Sequence, residues 1–294
     1  LSTGGLVKTS AYVGAFEMSS AGTRPWLADI PPVDEIVEEA VKELIREMKR
    51  ETGREGLKED EVLKTLKPYQ AMERLELKCR EIYNRHEQQV REKFGRGAYG
   101  SVDPKMFENS LANARRARAG ATLEKIFLKL LNVYGISYKK HVRMGEAEFD
   151  FAIPSGEQAL RNPHRSVLIS LKREVRERWK LTVGDAYILR QKYGYPVLEN
   201  IWFASLGEPP LEAIAAMTAL CIVTYVPNDH FNVVSETLGK RGDLTDREIA
   251  RIRRFSRIIE DALRVTRDEI PLEPCVIEQR KLERYKSLLG YISR

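Results

Sequence analysis

The sequence predicts an α/β fold, a mixed β-sheet core flanked by helices and preceded by a helical N-terminal region. Three observations carry this expectation. Apolar residues recur at helical spacing through much of the first hundred positions. Short β-type runs then alternate with helical segments, the pattern of a layered α/β core. Finally, 43% hydrophobic content over 294 residues is enough to build a substantial core.

The elements follow in order. Ile36, Val37, Ala40, Val41, Leu44, Ile45 and Met48 repeat with helical period after the turn-forming Pro31-Pro32, and Asp34 suits a cap. A second helix is expected over 70–94, ending at Gly95-Arg96-Gly97, and a long third over 107–134. The β-type runs are 149–153, 167–171, 200–206 and 221–226, with helices at 183–193 and 211–220 between them. The last two strands should be parallel neighbours joined by a crossover helix. Residues 246–267 and 277–289 return to helix. The change of pattern near Pro104 divides a helical region, 1–103, from a core region, 104–294.

Lys and Arg outnumber Asp and Glu by 49 to 43, a formal +6 whose sign favours an anionic partner. Cys79, Cys221 and Cys275 are odd in number and form no CxxC pair, which argues against a disulfide framework or zinc ribbon and for a reducing, cytoplasmic setting. The four histidines, His86, His141, His164 and His230, show no HExxH spacing, so metal binding through imidazole is not expected. No run approaches the roughly 20 apolar residues of a membrane helix, and residues 1–21 lack the basic-then-apolar order of a signal peptide. A membrane is therefore not an expected partner.

The chemistry gathers in Glu148-Phe149-Asp150-Phe151-Ala152-Ile153-Pro154 and Val167-Leu168-Ile169-Ser170-Leu171-Lys172. Strand side chains alternate between faces, so Ser170 and Lys172 point the same way, and a neighbouring strand can set Asp150 beside them. Phosphodiester hydrolysis needs an activated water, charge neutralisation at the phosphate and protonation of the leaving oxygen. A carboxylate-held Mg²⁺ at Asp150 meets the second need and acidifies the water, while Lys172 orients it. Taken alone, Asp and Lys on adjacent strands also describe a surface ion pair.

Two flanking segments narrow the reading. Lys172 is followed by Arg173-Glu174-Val175-Arg176-Glu177-Arg178-Trp179, and upstream lies Ser110-Leu111-Ala112-Asn113-Ala114-Arg115-Arg116-Ala117-Arg118-Ala119-Gly120-Ala121-Thr122-Leu123-Glu124. Over about 107–186 these segments resemble the EcoRII, SsoII and PspGI group of type II restriction endonucleases, within the PD-(D/E)xK nuclease superfamily. The resemblance implies a restriction-endonuclease-like fold and Mg²⁺-dependent cleavage of double-stranded DNA. In that group Ser-x-Lys replaces the usual acidic-x-Lys, and the missing acid comes from a helix about a dozen residues past the Lys. Asp185 holds that place here, where the group leads one to expect Glu, so Asp150 and Asp185 are the expected metal ligands. Glu124 is a further catalytic candidate, able to hold metal, water or Lys172, or instead to pair with Lys125 or Lys129.

Arg176, Glu177 and Arg178 also make stereochemical sense. Guanine presents two acceptors to a guanidinium and cytosine a donor to a carboxylate, so Arg-Glu-Arg can read adjacent C·G pairs. The resemblance implies that use on a palindromic site of CC-(central pair)-GG type, read by a homodimer, with the central pair unstacked and a DNA methyltransferase in the same system. The helical N-terminal region would then support DNA binding or the dimer. Arg115, Arg116 and Arg118, with Asn113, are expected to face phosphates or to form a solvated helix face. Trp179 reads as a core anchor for this loop. Trp26, Tyr69 and Arg96 suit a pocket for an unstacked base by residue type alone. Two competing functions share the pattern: a structure-specific or repair nuclease of the same superfamily, and a DNA-binding protein whose metal site is lost, a reading suggested by Ser170.

Overall fold

The computed structural model describes residues 24–281 except 54, 55, 57, 173–177, 243, 268, 270, 271, 273 and 279, and of Glu59 and Arg178 only the backbone. Arg176, Glu177 and the Arg178 side chain lie outside the described residues, as does most of the helix expected over 277–289.

Five helices come first: α1 (Pro25–Ala28), α2 (Val33–Thr52), α3 (Glu59–Thr65), α4 (Pro68–Gly95) and α5 (Pro104–Val133). In α2 the stripe Ile36, Val37, Ala40, Val41, Leu44 and Met48 is buried, as its period requires. Gly53, at φ 66°, ends that helix in a left-handed turn and donates its N–H to the Lys49 carbonyl. Asp103 starts α5 by accepting from the N–H groups of Lys105 and Met106, with Pro104 in the first turn.

The remaining elements are β1 (Lys139–Met144), β2 (Ala147–Ile153), α6 (Gly156–Arg161), β3 (Val167–Lys172), α7 (Arg178–Tyr193), β4 (Ile201–Ser205), α8 (Leu211–Ala219), β5 (Ile222–Val226), α9 (Phe231–Arg241), α10 (Asp246–Ile249), β6 (Ile252–Arg254) and α11 (Ile258–Thr266). The strands form one sheet in the order β1-β2-β3-β4-β5-β6. Its first three strands are antiparallel and β3 to β6 run parallel. The expected crossover between parallel neighbours is the β4–α8–β5 unit.

Two strands were not expected. β1, Lys-Lys-His-Val-Arg-Met, buries only Val142 and Met144, and its charged alternate residues suit an exposed edge. β6 is three residues long with one buried apolar side chain, and it splits the helix expected over 246–267 into α10 and α11.

The sheet lies between two apolar clusters. On one face Phe151, Ile153, Ile169, Leu171, Trp202 and Tyr225 pack with α2, α4, α5 and α11. On the other, Ala152, Leu168, Ile201 and Phe203 pack with α7, α8 and α9. The N-terminal helices thus share one continuous core with the sheet.

Cys221, at the entry to β5, forms a disulfide with Cys275, 54 residues on, which corrects the expectation of no disulfide. The chain after α11 returns to the start of the sheet, where Cys275 donates its N–H to the Val197 carbonyl and Pro274 bridges to Leu198. A contact made by tertiary return leaves no mark in local cysteine spacing. Among the described residues no helix is long and apolar enough to cross a membrane.

Candidate active site

Register builds the site. Phe151 stands opposite Ile169, and one further step sets Asp150 opposite Ser170. Alternation places Asp150, Ser170 and Lys172 on the face covered by α7, where Leu168 packs. Asp150 Oδ2 accepts from the Leu171 N–H at 2.6 Å and from Lys172 Nζ at 2.7 Å. The carboxylate therefore takes over a backbone donor at the end of the strand pair, which holds it in place. Both side chains are about four-fifths buried, at 19% and 21% exposed, so water screens the pair only partly. The second oxygen, Oδ1, accepts no hydrogen bond from a described residue.

Ser170 is buried and brings no carboxylate to the strand. A carboxylate stands instead on the helix above the sheet. Asp185 lies midway along α7, which starts at Arg178 and not at 183 as the periodicity suggested. Its Oδ1 accepts from the Glu148 N–H at 3.4 Å. Burial pushes the Asp185 carboxyl up to about 6 against the pull of the Glu148 N–H and the Lys172 charge, and the Glu148 and Asp150 carboxylates push the same way as burial. No described residue forms an ion pair with it. Glu148 was not singled out in the sequence; it reaches Asp185 through its backbone N–H, two residues before Asp150.

The donor chemistry fits Mg²⁺. Among the described residues no group of three or more His, Cys, Asp or Glu side chains is assembled as a metal cage. Mg²⁺ is commonly held by one or two carboxylates, with waters and substrate phosphates completing the octahedron, and Asp150 and Asp185 are two such hard donors.

The other candidates are dispersed. Glu124 on α5 has its Oε2 3.9 Å from Lys140 Nζ on β1, and Lys125 pairs with Asp34 at 2.6 Å. Arg115 grips Glu87 of α4 in a two-pronged contact, Nε to Oε2 at 2.9 Å. Arg118 donates to the carbonyls of Ile30, Pro31 and Leu27, tying α5 to the N-terminal turn. Arg116 and Asn113 are exposed and touch each other at 3.3 Å. Trp179 is buried in the α7-side cluster, the anchor expected of it. Trp26 is also core, its indole N–H donating to Ser110 Oγ at 2.7 Å.

The family model described as EcoRII C terminal matches residues 81–209. The chain is similar to the solved restriction endonuclease PspGI in complex with substrate DNA, at 32% identity and TM-score 0.63, covering 81% of this chain and 94% of that one. It shares its fold with metal-depleted Ecl18kI in complex with uncleaved DNA, at 16% identity and TM-score 0.57 over 95% of this chain and 97% of that one. Ecl18kI bound to uncleaved, modified DNA matches at 15% and 0.57, over 93% and 90%. No curated protein matches the chain. With 32% identity over 94% of PspGI, and a family model spanning both strands of the Asp150–Lys172 pair and the helix of Asp185, the chain belongs to the EcoRII and PspGI group of type II restriction endonucleases, site-specific deoxyribonucleases.

Proposed function

We propose that this endonuclease is a Mg²⁺-dependent homodimer that cuts double-stranded DNA at a short palindromic site of CC-(central pair)-GG type. The observation that carries the reading is the Asp150–Lys172 pair at 2.7 Å beside the half-buried carboxylate of Asp185. Ecl18kI, solved metal-depleted with its DNA uncleaved, supports a metal requirement by analogy.

Asp150, through Oδ1, and Asp185 would hold the ion, which when bound supplies charge neutralisation at the scissile phosphate and acidifies the attacking water. Lys172 is fixed by Asp150 and directs its ammonium at the attacking water, and Ser170 leaves room for the acid arriving from α7. Glu124 acts at one remove, through Lys140 on the strand beside Asp150. Arg176, Glu177 and Arg178 follow Lys172 directly and suit guanine O6/N7 and the cytosine amino group. Arg116 and Asn113 offer exposed donors to phosphates, and Arg115 and Arg118 extend that surface from positions set by Glu87 and the 27–31 carbonyls. Two-fold symmetry matches a palindromic site. The central pair is unstacked during recognition, and a separate methyltransferase in the same cytoplasm protects the host site.

Digestion of a fully sequenced DNA with Mg²⁺, followed by mapping of fragment ends, tests the reading. Discrete fragments bounded by a shared CC/GG element are expected. Glu177→Ala and Arg178→Ala should each lose about 2–6 kcal/mol of discrimination in the dimer, at roughly 1–3 kcal/mol per contact. Ends without a common GC-flanked element overturn the assigned specificity.

A further inference from the structure

The parallel half of the sheet extends the catalytic rung beyond the active site. Lys172 pairs with Ser205 and Val226 with Arg254, and continuing the β4–β5 register one residue past Ala204 and Tyr225 joins Ser205 to Val226. Lys172, Ser205, Val226 and Arg254 thus form a single rung across four strands. Paired residues in a sheet share a face, so Arg254 rises on the same side as Lys172. Three strand spacings of about 4.8 Å put their backbones about 14 Å apart.

At that end of the rung Arg253, Arg254, Arg257 and Arg264, with Phe231 and Asp261, line an open cleft of about 450 Å³. The one acid among them is already committed. Asp261 Oδ2 accepts from Tyr225 Oη at 3.0 Å and from Arg253 at 2.9 Å. Arg257 shares Glu260 at 3.2 Å. Among the described residues Arg254 has only neutral oxygen partners, the Asn228 carbonyl at 3.3 Å and Asn232 Oδ1 at 2.9 Å, and its guanidinium lies 4.7 Å over the Phe231 ring. Arg264 forms no ion pair with a described residue. Among the described residues no carboxylate neutralises these two guanidiniums, and one of them is oriented in advance by stacking, which leaves less freedom to lose when its N–H fork meets a phosphate.

We propose that Arg254 and Arg264 hold a backbone phosphate of the bound DNA outside the segment read by Arg-Glu-Arg. The contact is a sequence-independent clamp roughly four base pairs along the duplex from the scissile bond, at 3.4 Å per base pair. It rests on the DNA-cleaving reading above and adds to it a second anchoring point per subunit. The polyanion is favoured over a small anion because the cleft is open and Arg254 in it shares a rung and a face with Lys172, while α11 brings Arg264 to it from the other face, so one duplex crossing the carboxyl ends of the strands meets both the lysine and the cleft.

The test measures binding of metal-free, full-length protein to a site-containing duplex and a random duplex of equal length across a salt series. A third duplex is trimmed to the recognition site. Arg254→Gln and Arg264→Gln should each weaken binding to both long duplexes by the same factor, about 3- to 10-fold, and flatten the salt slope by about 0.9. On the trimmed duplex they should match wild type. Arg254→Lys, which keeps the charge, should keep the slope, and thermal unfolding checks the fold. An unchanged slope on the long duplexes in both glutamine variants overturns the clamp. So does a shift from dimer to monomer with the slope intact, which would make the cleft a contact between copies. Failure of the underlying reading is distinct: wild-type protein would then cut no DNA at discrete sites, whatever the cleft variants do.

Discussion

Glu87 on α4 and Asp185 on α7 are both carboxylates drawn out of water by the packing around them, and the chain treats them in opposite ways. Glu87 receives Arg115 and Arg91, the latter at 2.8 Å. Burial works against its charge, but the two guanidiniums outweigh it and hold its carboxyl below the usual range. Asp185 receives one long backbone N–H and has two carboxylates for neighbours, so burial prevails and its carboxyl rises to about 6. The first arrangement is complete and belongs to the architecture of the helical layer. The second has no ion-pair partner among the described residues and feels only the Lys172 charge, which is too weak to offset burial, and it lies on the face where Asp150 and Lys172 meet.

Breaking each region should therefore produce a different kind of damage. The largest effect is expected at the sheet: Asp150→Ala or Lys172→Ala should slow cleavage by about 10²- to 10⁴-fold, while cognate binding stays within about tenfold. Near-normal cleavage in Asp150→Ala would remove the site. Glu87→Gln should instead lower stability by about 1–3 kcal/mol, the cost of stripping charged hydrogen bonds from two partly exposed arginines, and leave the cleavage rate per folded molecule at saturating DNA unchanged, with any loss confined to DNA affinity through Arg115. A Glu87 variant that is stable but inactive would erase the distinction.

The pH response sharpens the comparison. Because the folded pKa of Asp185, about 6, lies above its ordinary value of 3.8, the metal-free folded state takes up a proton that the unfolded chain does not between those values. Its contribution to stability is thus most favourable at low pH, declines as pH rises through that window and levels off above about 6. Metal binding needs the carboxylate, so cleavage should run the other way and fall as pH drops through about 6. Asp185→Glu should retain cleavage, since it restores the residue that the resemblance leads one to expect there. The smallest effect is expected on the helix surface, where Arg116→Ala should flatten the salt dependence of binding by about 0.9, with no change in stability.

The sheet core and the Asp150–Lys172 juxtaposition were legible because they rest on local rules. Alternation in Val167–Lys172 put Ser170 and Lys172 on one face, and the alternate runs located four of the six strands. β1 and β6 were not legible, being edges whose polar residues face water and carry no apolar alternation to detect. The partners of Arg115 and Arg118 were hidden for another reason: Glu87 and the 27–31 carbonyls are distant in sequence, and a charge on a helix looks the same whether it faces solvent or a neighbouring helix. The Cys221–Cys275 link and the Lys172–Arg254 rung are likewise products of register and return, which no window of sequence contains.

Asp185 has no ion-pair partner among the described residues, which leaves its charge for a bound metal to neutralise. Thermal unfolding of wild type and Asp185→Asn at pH 7.5, each with and without Mg²⁺, tests it most directly. Mg²⁺ is expected to raise the wild-type Tm, Asp185→Asn to be already more stable than wild type without metal because a half-buried charge has been removed, and Mg²⁺ to add nothing to the variant. A variant less stable than metal-free wild type, or one stabilised by Mg²⁺ as much as wild type, would contradict it.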